Sequence, residues 1–103
     1  MAYDLPSEEK FTRIVTGLDK IDYVVAMDGW YWNSLDWMHE NTDWRDTDFI
    51  EMAWQVAREM ENDGTMKNPG NFPAEFAFAF QCCVWSRMVN FISSENGAAN
   101  NSF

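Results

Sequence analysis

The chain has 103 residues and a mass of 12.1 kDa, which is enough for one domain with a modest core and too little for two. Seventeen acidic residues against seven basic ones give a formal charge of −10 and a pI near 4.2. That balance excludes indiscriminate binding to a phosphate backbone unless a local basic patch opposes the average.

Aromatic residues make up 17% of the chain, with six Trp and eight Phe. A core this small does not easily hide so many large apolar side chains, so some are expected at an oligomer interface. No apolar run reaches membrane-spanning length, and Met1-Ala2-Tyr3-Asp4-Leu5-Pro6 has neither a basic segment nor an apolar segment of a secretory signal. The chain is expected to be cytoplasmic, with no membrane partner. Cys82 and Cys83 are adjacent, an arrangement that rarely satisfies disulfide geometry, and they are expected to be reduced core residues.

Residues 1–20 read as an N-terminal arm that forms either a strand or a short helix. Phe11, Ile14, Val15 and Leu18 follow helical spacing behind a Ser7 cap, with Glu8 and Glu9 in the first turn. The β-branched content of Phe11 to Thr16 points instead to a strand that turns through Gly17-Leu18-Asp19-Lys20. Residues 21–92 form the domain proper. Ile21, Tyr23, Val25 and Met27 alternate with Asp22, Val24, Ala26 and Asp28, which predicts a strand. Gly29 breaks it, and Trp30 to Asn41 reads as a helix with Tyr31, Leu35 and Met38 on one stripe and Trp30 and Trp37 on a second.

A second helix is predicted from Asp46 to Asp48 onward, with Asp48 and Glu51 at capping-box spacing and Asn62-Asp63-Gly64 at its end. Phe49, Ile50, Ala53, Val56, Ala57 and Met60 form its apolar face. After the loop Asn68-Pro69-Gly70-Asn71, Pro73 suits a helix first turn, and Phe76, Phe80, Cys83, Val84 and Arg87 continue at helical spacing. Residues 93–103, mostly Ser, Asn, Gly and Ala, lack the apolar residues needed to order them and read as a disordered tail.

This order of elements resembles the bacterial ribbon-helix-helix family of the Arc/MetJ type. The likeness is carried by Val24-Val25-Ala26-Met27-Asp28 and Gly29-Trp30-Tyr31-Trp32-Asn33-Ser34-Leu35, where family members read approximately Ser-Val-Arg-Leu-Glu and Pro-x-Phe-Trp-x-x-Leu. Tyr31, Trp32 and Leu35 keep the spacing of the aromatic pair and the leucine, and Ala79-Phe80-Gln81 loosely matches an Ala-Leu-Arg step in the last helix. The resemblance spans residues 21–90, and its first third is the specific part. It implies a homodimer in which one strand from each protomer pairs antiparallel and the ribbon enters the DNA major groove. On that pattern Tyr23, Val25, Met27, Tyr31, Trp32 and Leu35 form the ribbon and dimer core, and Asp22, Val24, Ala26 and Asp28 face outward.

That outward face has no Arg, Lys, Asn or Gln to read base edges, and the family's Arg position is Ala26. Lys10, Arg13 and Lys20 are the candidate nucleic-acid contacts, because only these basic residues lie near one another in sequence. Asp36, His39 and Asp43 fall at i,i+3 and i,i+4 spacing, but a solvated helix face with a salt-linked His explains them without a metal. A cluster of Phe76, Phe78, Phe80 and Trp85 fits a helix core better than a planar-ligand pocket. No phosphate loop, nucleophile elbow or calcium loop is present in the sequence, and no cofactor is expected.

The expected fold is mainly α with a short β-ribbon: a ribbon-helix-helix-like core with an additional C-terminal helix, dimeric. The expected function is that of a non-enzymatic regulatory dimer acting through protein contacts of an acidic, aromatic-rich surface, with a basic protein surface as partner. The alternative is a sequence-specific DNA-binding repressor of the ribbon-helix-helix type.

Overall fold

β-branched content wins over helical spacing from Phe11 to Thr16. The computed structural model describes residues 10–100, with side chains from residue 10 to residue 93. Phe11–Thr16 forms β1 and Asp22–Met27 forms β2; α1 (Gly29–Asn41), α2 (Asp46–Asp63) and α3 (Phe72–Asn100) follow. The proposed Ser7 cap lies outside the described residues.

β1 and β2 pair antiparallel within the chain, from Phe11 opposite Met27 to Thr16 opposite Asp22. The connection is a three-residue hairpin loop of the kind that combines a tight turn with a left-handed residue. The Lys20 N–H donates to the Gly17 carbonyl at 3.0 Å, and the Gly17 N–H donates to the Ile21 carbonyl at 2.9 Å. Lys20 takes the left-handed position at φ 70. The Asp19 carboxylate then ties the loop to β2, accepting from the Ile21 N–H at 3.1 Å and the Tyr23 hydroxyl at 2.7 Å. This corrects the expectation of a lone strand, because β2 finds its ladder partner in its own chain. Unsatisfied backbone groups on a single strand therefore no longer demand a second copy.

The inner face of β2 packs on the helices. Tyr23, Val25 and Met27 are buried and join Trp32, Leu35 and Met38 of α1, Phe49, Ala53 and Ala57 of α2, and Phe76, Phe80 and Val84 of α3 in one core. Tyr23 sits among rings, with centroids 5.1 Å from Phe76 and 6.0 Å from Trp54. Burial and the Asp19 hydrogen bond hold the Tyr23 hydroxyl above its ordinary pKa.

Three helix ends have specific anchors. Asp28 caps α1 by accepting from the Trp30 N–H at 2.7 Å, a common role for Asp at a helix start. In α2 the cap is Arg45, and Asp48 reaches back from the third helical position to accept the Arg45 N–H at 2.8 Å. Asp48 is thus the return half of the capping box and not the cap expected from its spacing to Glu51. Gly64 closes α2 in the left-handed conformation at φ 73, as helix ends of this type require.

Glu75 is fully buried near the start of α3. Its carboxylate accepts from the Asn68 N–H at 2.8 Å, the Lys67 N–H at 3.3 Å and Asn68 Nδ2 at 3.3 Å, which pins the α2–α3 loop to the helix. α3 continues to Asn100 and so runs past Ser93, where the tail was expected to begin. No proline interrupts the intrahelical ladder there, and helix elongation needs only one bond per added residue.

Gly17 is the tightest point of the hairpin. A Cβ there would lie 2.7 Å from Trp54 Cζ3 and 2.8 Å from Tyr23 Cε1. Gly17→Ala is therefore expected to destabilise the fold by about 1–3 kcal/mol, the range for overpacking. Urea unfolding measures this, and an unchanged midpoint would contradict the packing described.

Candidate functional site

The ribbon turns one face away from the helices. Pairing register puts Thr12, Ile14 and Thr16 of β1 beside Ala26, Val24 and Asp22 of β2 on one face. Every one of these residues is exposed. Ile14 and Val24 stand directly opposite each other and are each 64% exposed, forming an apolar pair at the centre of a face on which the helices do not pack. Leu18 and Ile21 extend exposed apolar surface to the turn. Thr16 Oγ1 donates to Asp22 Oδ1 at 2.8 Å, so the polar groups at that end partly satisfy one another.

Three of the four expected outward residues, Asp22, Val24 and Ala26, occupy this face. Asp28 does not: it is buried at the start of α1, where its carboxylate is the helix cap. Thr12, Ile14 and Thr16 supply the half of the face that the single-strand reading missed, and the β-branched content of Phe11 to Thr16 was the signal for them. Tyr23, Val25, Met27, Trp32 and Leu35 are buried as expected, and Tyr31 is partly buried against the core.

The basic trio does not form a patch. Lys10 precedes β1 and Lys20 lies in the turn, so the strand rise separates them by roughly 20 Å. Arg13, between them in sequence, belongs to the opposite face of the ribbon. Its guanidinium donates to both Asp36 oxygens, at 2.9 and 3.0 Å, and its Cζ lies 4.7 Å from the centre of the Trp32 ring. The Trp32 indole N–H in turn donates to the Phe11 carbonyl at 2.7 Å, fastening β1 to α1.

The other arginines are also engaged within the chain. Arg45 Nη1 donates to the Thr42 and Trp44 carbonyls at 3.2 and 3.1 Å. Arg58 pairs with Glu61 at 2.6 Å and lies 3.8 Å above the Phe72 ring. Arg87 stacks on Trp44 at 4.2 Å. A guanidinium held on an aromatic face or at a helix end is less available to a phosphate than a free one.

Asp36 and His39 take different partners rather than sharing a metal. His39 Nε2 lies 2.8 Å from Asp46 Oδ1, an ion-pair distance, while Asp36 is taken by Arg13. Among the described residues no group of three or more His, Cys, Asp or Glu side chains is arranged to hold a metal ion. Of the aromatic cluster on α3, Phe76 and Phe80 are core and Trp85 is exposed. Cys83 is half-buried, whereas Cys82 is exposed and not the core residue expected. Desolvation raises both thiols above their ordinary pKa, which suppresses the reactive thiolate.

Comparison of the chain with protein-family models, with curated proteins and with solved structures finds no match. The fold is mainly helical with a two-stranded antiparallel ribbon. No helix among the described residues is long and apolar enough to cross a membrane.

The hydrogen bonds from Arg13 hold the Asp36 carboxyl below its ordinary pKa, with partial desolvation opposing them. A depressed folded-state pKa adds stability above the unfolded value of about 3.9, and this stability is lost as pH falls through the folded pKa. The two side chains are 45% and 47% exposed, so the expected contribution is small, about 0.5 kcal/mol. Asp36→Asn should cost that much at neutral pH and nothing once Asp36 is protonated in acid. Paired urea titrations check it, and a difference independent of pH would contradict the assignment.

Proposed function

We propose that this chain is a non-enzymatic, ribbon-helix-helix-like regulatory module that acts as a homodimer through protein contacts. The observation that carries this reading is the outer face of the ribbon. It presents an exposed Ile14–Val24 pair with threonines and one carboxylate around it, and it has no residue that reads base edges bidentately. A two-stranded ribbon with one bare apolar face is a surface that gains by being covered. A second copy can cover it by stacking ribbon on ribbon, about 10 Å apart as sheets pack.

Charge supports protein over nucleic acid as the wider partner. The chain carries −10 overall, and its arginines are already committed to internal carboxylates, carbonyls and rings. Electrostatic complementarity then favours a basic protein surface. Exposed Phe11, Trp30, Trp37 and Trp85 offer aromatic anchors for such a contact.

A DNA-binding repressor is the second reading, and one observation favours it. The ribbon is complete within a single copy, and a two-stranded ribbon is of a width that the major groove admits. Against it stand Asp22 on the outer face and Arg13 on the inner one.

Sedimentation equilibrium tests the dimer. The wild type is expected at about twice its 12.1 kDa chain mass, and Val24→Lys, which charges the centre of the face, is expected at the monomer mass with unchanged helical circular dichroism. A monomeric wild type, or a dimer indifferent to Val24→Lys, would overturn the proposed interface.

A further inference from the structure

The free edge of β1 carries a second feature. A cleft of about 270 Å³ runs beside the strand, bordered by residues 13–16 on one side and by Trp32, Leu35, Asp46, Ile50 and Phe80 on the other. Arg13 and Val15 belong to the inner face of the ribbon, and Ile14 and Thr16 to the outer one. A cleft that touches residues of both faces lies along the edge of the strand and not under either face. Its floor is apolar, with Leu35 and Phe80 buried beneath it and Ile50 partly buried.

The main chain at that edge is unpaired by the ribbon. The Gly17 N–H to Ile21 bond fixes the phase of the ladder. Antiparallel alternation then directs the backbone groups of Arg13 and Val15 toward β2 and those of Thr12, Ile14 and Thr16 away from it. Edges like this are usually guarded by a charged side chain or a proline. β1 has no proline, and its one charged side chain, Arg13, is folded down onto Asp36 and Trp32.

All three helices reach the cleft past the edge of β1, through Trp32 and Leu35 of α1, Asp46 and Ile50 of α2 and Phe80 of α3. One more strand, set beside β1, would rest on this floor. We propose that this edge accepts an extended, basic segment of a partner protein as a third strand, with alternate small apolar side chains over Leu35, Ile50 and Phe80. This deepens the protein-contact reading above and rests on it.

Charge selects the occupant. Asp46 borders the cleft 2.8 Å from His39 Nε2 with its side chain still 62% exposed, and Arg13, the cation on the same cleft, is already paired with Asp36, so in a chain of charge −10 lysine or arginine in the incoming strand is favoured. The chain's own residues 1–9 carry Asp4, Glu8 and Glu9 and match this poorly. A second copy related by a two-fold axis through the sheet would bring its own helices under its β1, and the two helical layers would compete for the same ledge.

The test is fluorescence anisotropy with a capped, labelled heptapeptide alternating lysine and valine, added to the full chain. Saturable binding is expected, weakened at least tenfold when alternate peptide amides are N-methylated and at least tenfold when glutamate replaces lysine. Thr16→Pro removes an outward N–H without touching the β1–β2 ladder and is expected to abolish binding. If that variant does not fold, the N-methylated peptide decides the matter. Absent or unsaturable binding overturns the proposal, as does equal binding of either control peptide. So does a Thr16→Pro chain that loses dimerisation, which would make a second copy the occupant. The two readings fail separately: a monomer that binds the peptide keeps the strand site and loses the dimer, and a dimer that ignores it does the reverse.

Discussion

Pairing of β1 with β2 inside one chain is the constraint on which the rest of the molecule depends. Once Gly17 and Lys20 close the hairpin, the register decides that Tyr23, Val25 and Met27 turn inward and Asp22, Val24 and Ala26 turn outward. A slip of one residue would exchange these sets and put Asp22 into the aromatic cluster around Tyr23. Asp19 guards against that slip by holding both the turn amide of Ile21 and the Tyr23 hydroxyl. The helices then have a fixed surface on which to pack, and among the described residues the outer face of the ribbon has no covering layer.

The electrostatic arrangement follows from the same geometry. β1 places Arg13 on the inner face, within reach of α1, where Asp36 and Trp32 hold it. Arg45, Arg58 and Arg87 are likewise spent on a helix end and on aromatic rings. Internal use of positive side chains leaves the carboxylates to dominate the field outside the protein. A basic protein segment suits that field better than a polyanion, which is the common ground of the interface proposed for the ribbon face and the strand site proposed for its edge.

Much of this was legible in the residues. The alternation through Ile21 to Met27 announced β2 and its buried face, and Asn62-Asp63-Gly64 marked the end of α2 to the residue. Of Phe76, Phe78, Phe80 and Trp85, read together as helix core, Phe76 and Phe80 are buried and Trp85 is exposed. β1 was ambiguous because Phe11, Ile14, Val15 and Leu18 follow helical spacing while the β-branched content of Phe11 to Thr16 favours a strand. What decided it was tertiary, namely a ladder with β2 and the indole of Trp32 on the Phe11 carbonyl. Asp28 was misplaced for a related reason, since a strand-end carboxylate and a helix cap have the same sequence signature until the helix start is known to within a residue. Buried Glu75 went unnoticed because nothing local marks it. Its hydrogen-bond partners are backbone amides seven and eight residues away, and such a carboxylate looks like any first-turn acid until the loop folds over it.

The measurement that most directly tests the central claim, that this ribbon meets protein and not nucleic acid, is a titration of mixed-sequence DNA duplexes at low ionic strength followed by anisotropy. Low salt maximises phosphate attraction and gives DNA its best opportunity. The account predicts no binding up to about 100 micromolar protein, the weak end of non-specific association by true DNA-binding proteins. Binding that is released as salt rises would contradict it and return the ribbon to the major groove.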